Sequence, residues 1–155
     1  MTRITISALI VFLLDQSSKF AVLNWLQLDH VRSIDVWAPW LRFRMAWNQG
    51  VNFGLFSGET DLTRWTLILV SLGISTWLLL WARRGGSGAQ IWGGLIIGGA
   101  LGNVIDRLLY GAVADFLNLS CCGINNPYSF NIADMAIFMG AFGLVLTSNK
   151  QDNNR

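Results

Sequence analysis

The chain has 155 residues, 53% of them hydrophobic and 13% charged, where an ordinary soluble domain carries roughly 25% charged residues. Its formal net charge is +2, and the basic residues are scattered, without the Lys/Arg runs and interleaved aromatics of a nucleic-acid surface, so nucleic acid is not an expected partner. Eight tryptophans, sixteen glycines and a mean hydropathy of +0.46 favour one small polytopic membrane domain over residues 1–155.

The first apolar stretch, residues 4–28, follows Arg3 as a signal peptide would, yet it lacks a small-x-small cleavage site and is interrupted by Asp15. About 25 residues at 1.5 Å each cross a hydrocarbon layer of ~30 Å, so the segment reads as an uncleaved span. Asp15 and Lys19 stand four apart and share a helix face. A charge at that depth costs a few kcal/mol and turns toward a partner inside the bundle. Two readings of the pair stand, an interhelical staple or direct chemistry.

Residues 30–61 are polar. Within them LRFRMAW alternates, with Leu41, Phe43, Met45 and Trp47 on one side and Arg42 and Arg44 on the other, which predicts a half-buried strand. Residues 33–37 can pair with it across Ala38-Pro39-Trp40, forming a small sheet on the membrane surface. Gly50, Gly54 and Gly58 punctuate the loop that follows.

Residues 62–82 form a second span without a carboxylate, ending at Arg83-Arg84. The third, residues 90–110, sets Gly94, Gly98 and Gly102 at steps of four, a stripe that admits another backbone. Beyond it Asn103, Asp106 and Arg107 fall on one helix face. The fourth span, residues 130–146, opens with Asn131 and Asp134. The expected fold is therefore a membrane all-α bundle of four transmembrane helices, with a sheet and loop between helices 1 and 2. Both termini then share a side with Arg3, Arg83, Arg84, Lys150 and Arg155. The other side has as many basic residues, Arg32, Arg42, Arg44, Arg64 and Arg107, but the shortness of the segments that carry the first set favours cytoplasmic termini.

Cys121 and Cys122 are adjacent, a spacing at which a disulfide is strained. With His30 as the only histidine they cannot complete a zinc site, and no H-E-x-x-H occurs. No cofactor and no metal is expected. Ser17-Ser18-Lys19 raises a Ser–Lys hydrolase, but adjacent helix residues point apart and Asp15 neutralises the lysine that would have to act as base. Paired carboxylates remain. The turn-rich segment between Asp115 and Asp134 can bring them together at the membrane face, where one keeps a proton while the other acts as base. Equally, they can be two independent carboxylates, capping a helix or pairing with Arg107.

The segments DQSSK (15–19), NQGVNFG (48–54), GNVIDR (102–107), AVADF (112–116) and FNIAD (130–134) resemble, in order and over essentially the whole chain, the motifs of lipoprotein signal peptidase, signal peptidase II. The resemblance implies an aspartic endopeptidase of the bacterial inner membrane that removes signal peptides from diacylglyceryl-modified prolipoproteins. It implies an active site on the extracytoplasmic side, with Asp115 and Asp134 as the catalytic dyad. Asn48, Gly50, Asn103, Arg107 and Asn131 would line or brace the site, while Asp15, Lys19 and Asp106 would be structural polar groups. The implied partners are the lipid-modified substrate and membrane lipids, with no obligate protein partner. Asn52 departs from the small or aliphatic residue usual at that place in the glycine loop. The rival classes are a small transporter, against which no inverted repeat is visible, and a scaffold that would leave Asp115 and Asp134 idle.

Overall fold

The structure, a computed structural model, describes residues 2–50, 61–120 and 126–152, with side chains as far as Thr147. Asn52 with the rest of its glycine loop, and Cys121 and Cys122, lie outside the described residues. Helix α1 (Thr2–Phe20) continues through a π-helical turn (Ala21–Trp25). The first span thus stops short of the expected residue 28. Gln27 takes a left-handed conformation (φ 47°) and starts a short separate helix, α2 (Leu28–Val31). Helices α3 (Asp61–Ala82), α4 (Ser87–Tyr110) and α5 (Ile132–Asp152) follow. Three helices, Thr2–Trp25, Asp61–Ala82 and Ser87–Tyr110, are long and apolar enough to cross a membrane, and Ile132–Thr147 is a shorter apolar helix.

Helix α4 packs against α1, α3 and α5, because its glycines remove the side chains that would hold them away. A Cβ at Gly94 would run into Ser7 Oγ, and one at Gly98 into the Ala8 carbonyl. On another side of the helix, a Cβ at Gly99 would lie 2.5 Å from the Ala133 carbonyl of α5. Such backbone approach is how helices associate where lipid supplies no hydrophobic drive. Large apolar side chains such as Leu9, Leu69, Phe138 and Phe142 remain exposed, while Asp15, Lys19, Asn103, Asp106, Arg107, Asp115, Asn118 and Asn131 are buried. That inversion suits a bundle whose surroundings are apolar.

Strands β1 (Ser33–Trp37) and β2 (Leu41–Asn48) pair antiparallel as their alternation predicts. The alternation does not hold to its end. A bulge between Phe43 and Ala46 shifts the register, so Met45 is buried but Trp47 is 40% exposed and rests on Tyr110, with ring centroids 5.4 Å apart.

A third strand, β3 (Val113–Leu119), pairs antiparallel with β2 where the sequence suggested only a loop, giving sheet order β1-β2-β3. The sheet is therefore not confined to the connection between the first two spans. The residues Val113 to Phe116 are all buried, so VADFLNL lacks the in–out alternation that marks a half-exposed strand. Gly111, at φ 77°, caps α4, donating its N–H to the Arg107 carbonyl (3.2 Å), and lets the chain turn directly into β3. Phe116 meets Phe43 edge to face (5.6 Å, 87°) in a cluster with Val22, Leu28, Met45 and Ala114 that fastens the sheet to the end of the first span.

Candidate active site

Two clusters of buried polar groups meet where α1, α4, β3 and the start of α5 converge. The first is centred on Lys19. Its Nζ lies 2.7 Å from Asp15 Oδ2 and 2.8 Å from Asp106 Oδ2, and it donates to Asn103 Oδ1 at 3.3 Å. Asp15 Oδ1 accepts the Ala133 N–H of α5 (2.9 Å), and Asp106 Oδ2 accepts the Ala114 N–H of β3 (3.1 Å). Gln16, which the sequence does not single out although it stands inside the first motif, donates to Asp106 Oδ1 (3.0 Å), Asp15 Oδ2 (3.2 Å) and the Gly102 carbonyl (3.3 Å).

One lysine and two carboxylates thereby tie four elements together, and the Asp15–Lys19 pair takes the form of a staple. The Ser–Lys arrangement does not form. Ser18 Oγ donates to the Asp15 carbonyl (2.7 Å), and Lys19 is held between two acids.

The second cluster contains Asp115 and Asp134. The strand places Asp115 opposite Ala46 of β2, next to the bulge, with 2% of its surface exposed. Asn131 N-caps α5, lying just before the helix and not within its first turn. Its Oδ1 accepts the Asp134 N–H (2.9 Å), and Asp134 Oδ2 in turn faces the Asn131 N–H at 3.4 Å. This reciprocal pattern is a capping box, here with aspartate in its third position. The same asparagine donates Nδ2 to Asp115 Oδ1 at 2.6 Å and to Asn103 Oδ1 at 3.3 Å. Asn48 Nδ2 donates to Asp115 Oδ2 (3.1 Å), and Asn103 Nδ2 donates to Asp134 Oδ1 (3.0 Å). Asn131 is thus the bridge between the two carboxylates, and amides hold each in place.

Electrostatics distinguish the two acids. Burial pushes the Asp115 carboxyl up to about 7, and the neighbouring Asp134 charge adds to the rise, while hydrogen bonds from Asn48 and Asn131 and the charge of Lys19 oppose it. Asp134 is only partly buried, so water can reach it. Arg107, one turn beyond Asn103, does not pair with either carboxylate. It donates Nη1 to the Asn103 carbonyl (3.3 Å) and Nη2 to the Gly50 carbonyl (3.2 Å), which holds the end of β2 beside the site. Gly50 also donates its N–H to Asn48 Oδ1 (3.1 Å), setting the amide whose other end reaches Asp115.

The three polar residues read as one face of α4 therefore divide. Asn103 and Arg107 serve the Asp115–Asp134 cluster, and Asp106 serves Lys19. Among the described residues no three His, Cys, Asp or Glu side chains converge to hold a metal ion. Two carboxylates sharing a cramped, amide-lined site, one of them able to keep a proton near neutrality, form an arrangement suited to acid–base work on a bound carbonyl.

Residues 7–150 match the family model described as Signal peptidase (SPase) II. The chain is 46% identical over 148 residues to the lipoprotein signal peptidase of Methylorubrum extorquens (strain PA1), covering 92% of this chain and 83% of that protein. It is 40% identical over 144 residues to the lipoprotein signal peptidase of Shewanella sp. (strain MR-4), covering 90% and 81%. In three dimensions it is similar to a bacterial membrane enzyme solved by the in meso method at 2.3 Å, with a TM-score of 0.85 and 25% identity over 100% of this chain and 92% of that one. With its motifs, helices and paired carboxylates in that order, the chain belongs to the signal peptidase II family.

Proposed function

We propose that this protein is a metal-independent aspartic endopeptidase that cleaves the signal peptide from diacylglyceryl-modified bacterial prolipoproteins, on the N-terminal side of the lipidated cysteine. The reading takes the chain as one domain crossing the bacterial inner membrane four times, with α5 as the fourth span. Both termini are cytoplasmic and the dyad is on the extracytoplasmic side. Its main support is the Asp115–Asn131–Asp134 bridge, in which two carboxylates are joined through one asparagine and, among the described residues, no cation is bonded to either.

The chemistry follows from that asymmetry. Asp134, the more accessible acid, takes a proton from water as the water oxygen attacks the scissile carbonyl. Asp115, protonated near neutrality, donates a hydrogen bond and then its proton to the developing oxyanion. Asp134 then passes the proton it took from water to the leaving amide nitrogen, the C–N bond breaks, and one hydroxyl of the tetrahedral intermediate returns its proton to Asp115, leaving a carboxylic acid, a free amine and both aspartates as they began. Asn48 and Asn131 keep Asp115 oriented through the cycle, Asn103 does the same for Asp134, and Arg107 and Gly50 brace the edge against which substrate lies. Lys19 with Asp15 and Asp106 fixes the helices that carry these groups. A lipid-bearing cysteine enters sideways from the bilayer, and the unpaired backbone around its cut site is tolerated where the groove admits water.

The test is processing of a diacylated prolipoprotein by the purified protein in detergent. Asp115→Asn and Asp134→Asn each abolish cleavage while the protein still inserts, and chelators leave the rate unchanged. Full cleavage by either variant would rule the dyad out.

A further inference from the structure

The end of the bundle away from the dyad carries a groove that the peptidase reading leaves unused. Where α3 turns into α4, Trp77, Leu80, Trp81, Arg84, Gly85 and Gly86 line an open space of about 690 Å³. Trp77 and Trp81 stand one helical turn apart and stack, with centroids 6.5 Å apart and planes 18° from parallel, forming a flat aromatic wall. Trp77, Leu80 and Trp81 are all exposed. At the turn the apolar wall gives way to the Arg84 guanidinium, which has no hydrogen-bond or ion-pair partner among the described side chains.

Ile4, Leu78, Ala82 and Ile97 pack together at this end and fix which residues share it. Its described side chains include three cations, Arg3, Arg83 and Arg84, and no carboxylate. The groove is therefore greasy along its length and cationic at its mouth, at the level where a span leaves the bilayer.

We propose that this groove holds one anionic phospholipid, with an acyl chain along Trp77, Leu80 and Trp81 and its phosphate on the Arg84 guanidinium. Tryptophan favours the depth at which chain meets headgroup. The planar guanidinium fork matches phosphate oxygens two at a time. The two halves of the site are thus the two halves of such a lipid in the right order along the membrane normal. A free phosphate would leave the aromatic wall without a role. A second copy of the chain docking through the same end would bring arginine against arginine, with no described acid to offset it. The site is remote from Asp115 and Asp134, so it stands or falls separately from the peptidase reading.

Native mass spectrometry of the full chain, released from detergent with equal amounts of phosphatidylglycerol and phosphatidylcholine, tests this directly. The wild type is expected to retain phosphatidylglycerol in preference to phosphatidylcholine. Arg84→Gln is expected to cut that preference by about fivefold, the worth of one arginine at an anionic membrane surface. Trp81→Ala should reduce retention of both lipids, and Arg42→Gln, at the other end of the molecule, should change neither. Because Arg84 is exposed, its replacement disturbs no packing, and an unchanged helical circular-dichroism spectrum and thermal unfolding midpoint in detergent report that the fold is intact. Equal retention of the two lipids, an unchanged preference in Arg84→Gln, displacement of the lipid by inorganic phosphate, or a lipid-free dimer would each overturn the proposal.

Discussion

Each of the two polar clusters contains a pair of aspartates, yet they are built for opposite ends. Asp15 and Asp106 have Lys19 between them at ion-pair distance, and backbone N–H groups from α5 and β3 and the Gln16 amide also donate to them. Among the described residues, Asp115 and Asp134 have only amides and a backbone N–H as donors, while the nearby Arg107 directs its bonds to carbonyl oxygens. A buried carboxylate tied to a cation is fixed in charge, and its work is mechanical. A buried carboxylate tied to amides can hold or release a proton without losing its position. Where a lysine stands between the acids the cluster is a clamp, and where an asparagine stands between them the proposed mechanism has the two acids share a proton.

The sharpest way to break this contrast is to remove the proton-sharing ability of the second pair. Asp134→Asn keeps the shape of the side chain and its place in the capping box but removes the proposed base, and the expected loss of cleavage is about 10³-fold or more. The mirror experiment removes the cation of the first pair. Lys19→Met leaves two buried acids facing each other without a counter-charge, for an expected loss of about 3–5 kcal/mol in unfolding measurements in detergent. Adding Asp106→Asn to that variant should recover part of the loss, because one of the stranded charges is gone.

Gly102→Ala is a milder test of the clamp. The new Cβ would lie 2.6 Å from Asp15 Oδ2, and the adjustment is expected to lower stability by about 1–3 kcal/mol, the usual penalty of overpacking. The smallest effect is a pH dependence of stability. Asp115 keeps its proton in the folded state up to about pH 7, whereas an ordinary aspartate loses it near 3.8. The folded state therefore loses stability relative to the unfolded chain as pH rises between those values, and the loss is complete above about 7. Asp115→Asn should remove that slope, making the inactive variant less sensitive to pH than the wild type across the same window. An unchanged slope would mean that Asp115 is not the group responsible.

Much of this was open to reading in the residues themselves. The long apolar runs give the helices, because length and hydropathy dominate once charges are scarce, and the glycine stripe at 94, 98 and 102 faces a neighbouring helix as its spacing suggests. The pairing of residues 33–37 with 41–47 was also legible, since alternation is a strong signal on a half-exposed strand. The buried strand β3 was not, because a strand covered on both faces loses that signal and VADFLNL carries Asp and Asn where β-formers are expected.

Within the site, spacing alone paired Asp15 with Lys19 but could not place Asp106 on the other side of the lysine, a contact made across 87 positions of chain by helix packing. Nor could it show that Asn131 stands at the helix cap and bridges both acids, because capping geometry depends on where the helix begins. Trp47 departs from the side its alternation predicts for a similar reason. A bulge is a single-residue change of register, and an alternating pattern gives no sign of it.

The most direct test of the proton-sharing pair is the pH dependence of kcat/KM for cleavage of a diacylated prolipoprotein by the wild-type protein. If Asp115 must carry a proton for the reaction, the profile is bell-shaped and its alkaline limb falls near pH 7, the value to which burial and Asp134 raise that carboxyl. A rate that stays level well above that pH would contradict the assignment.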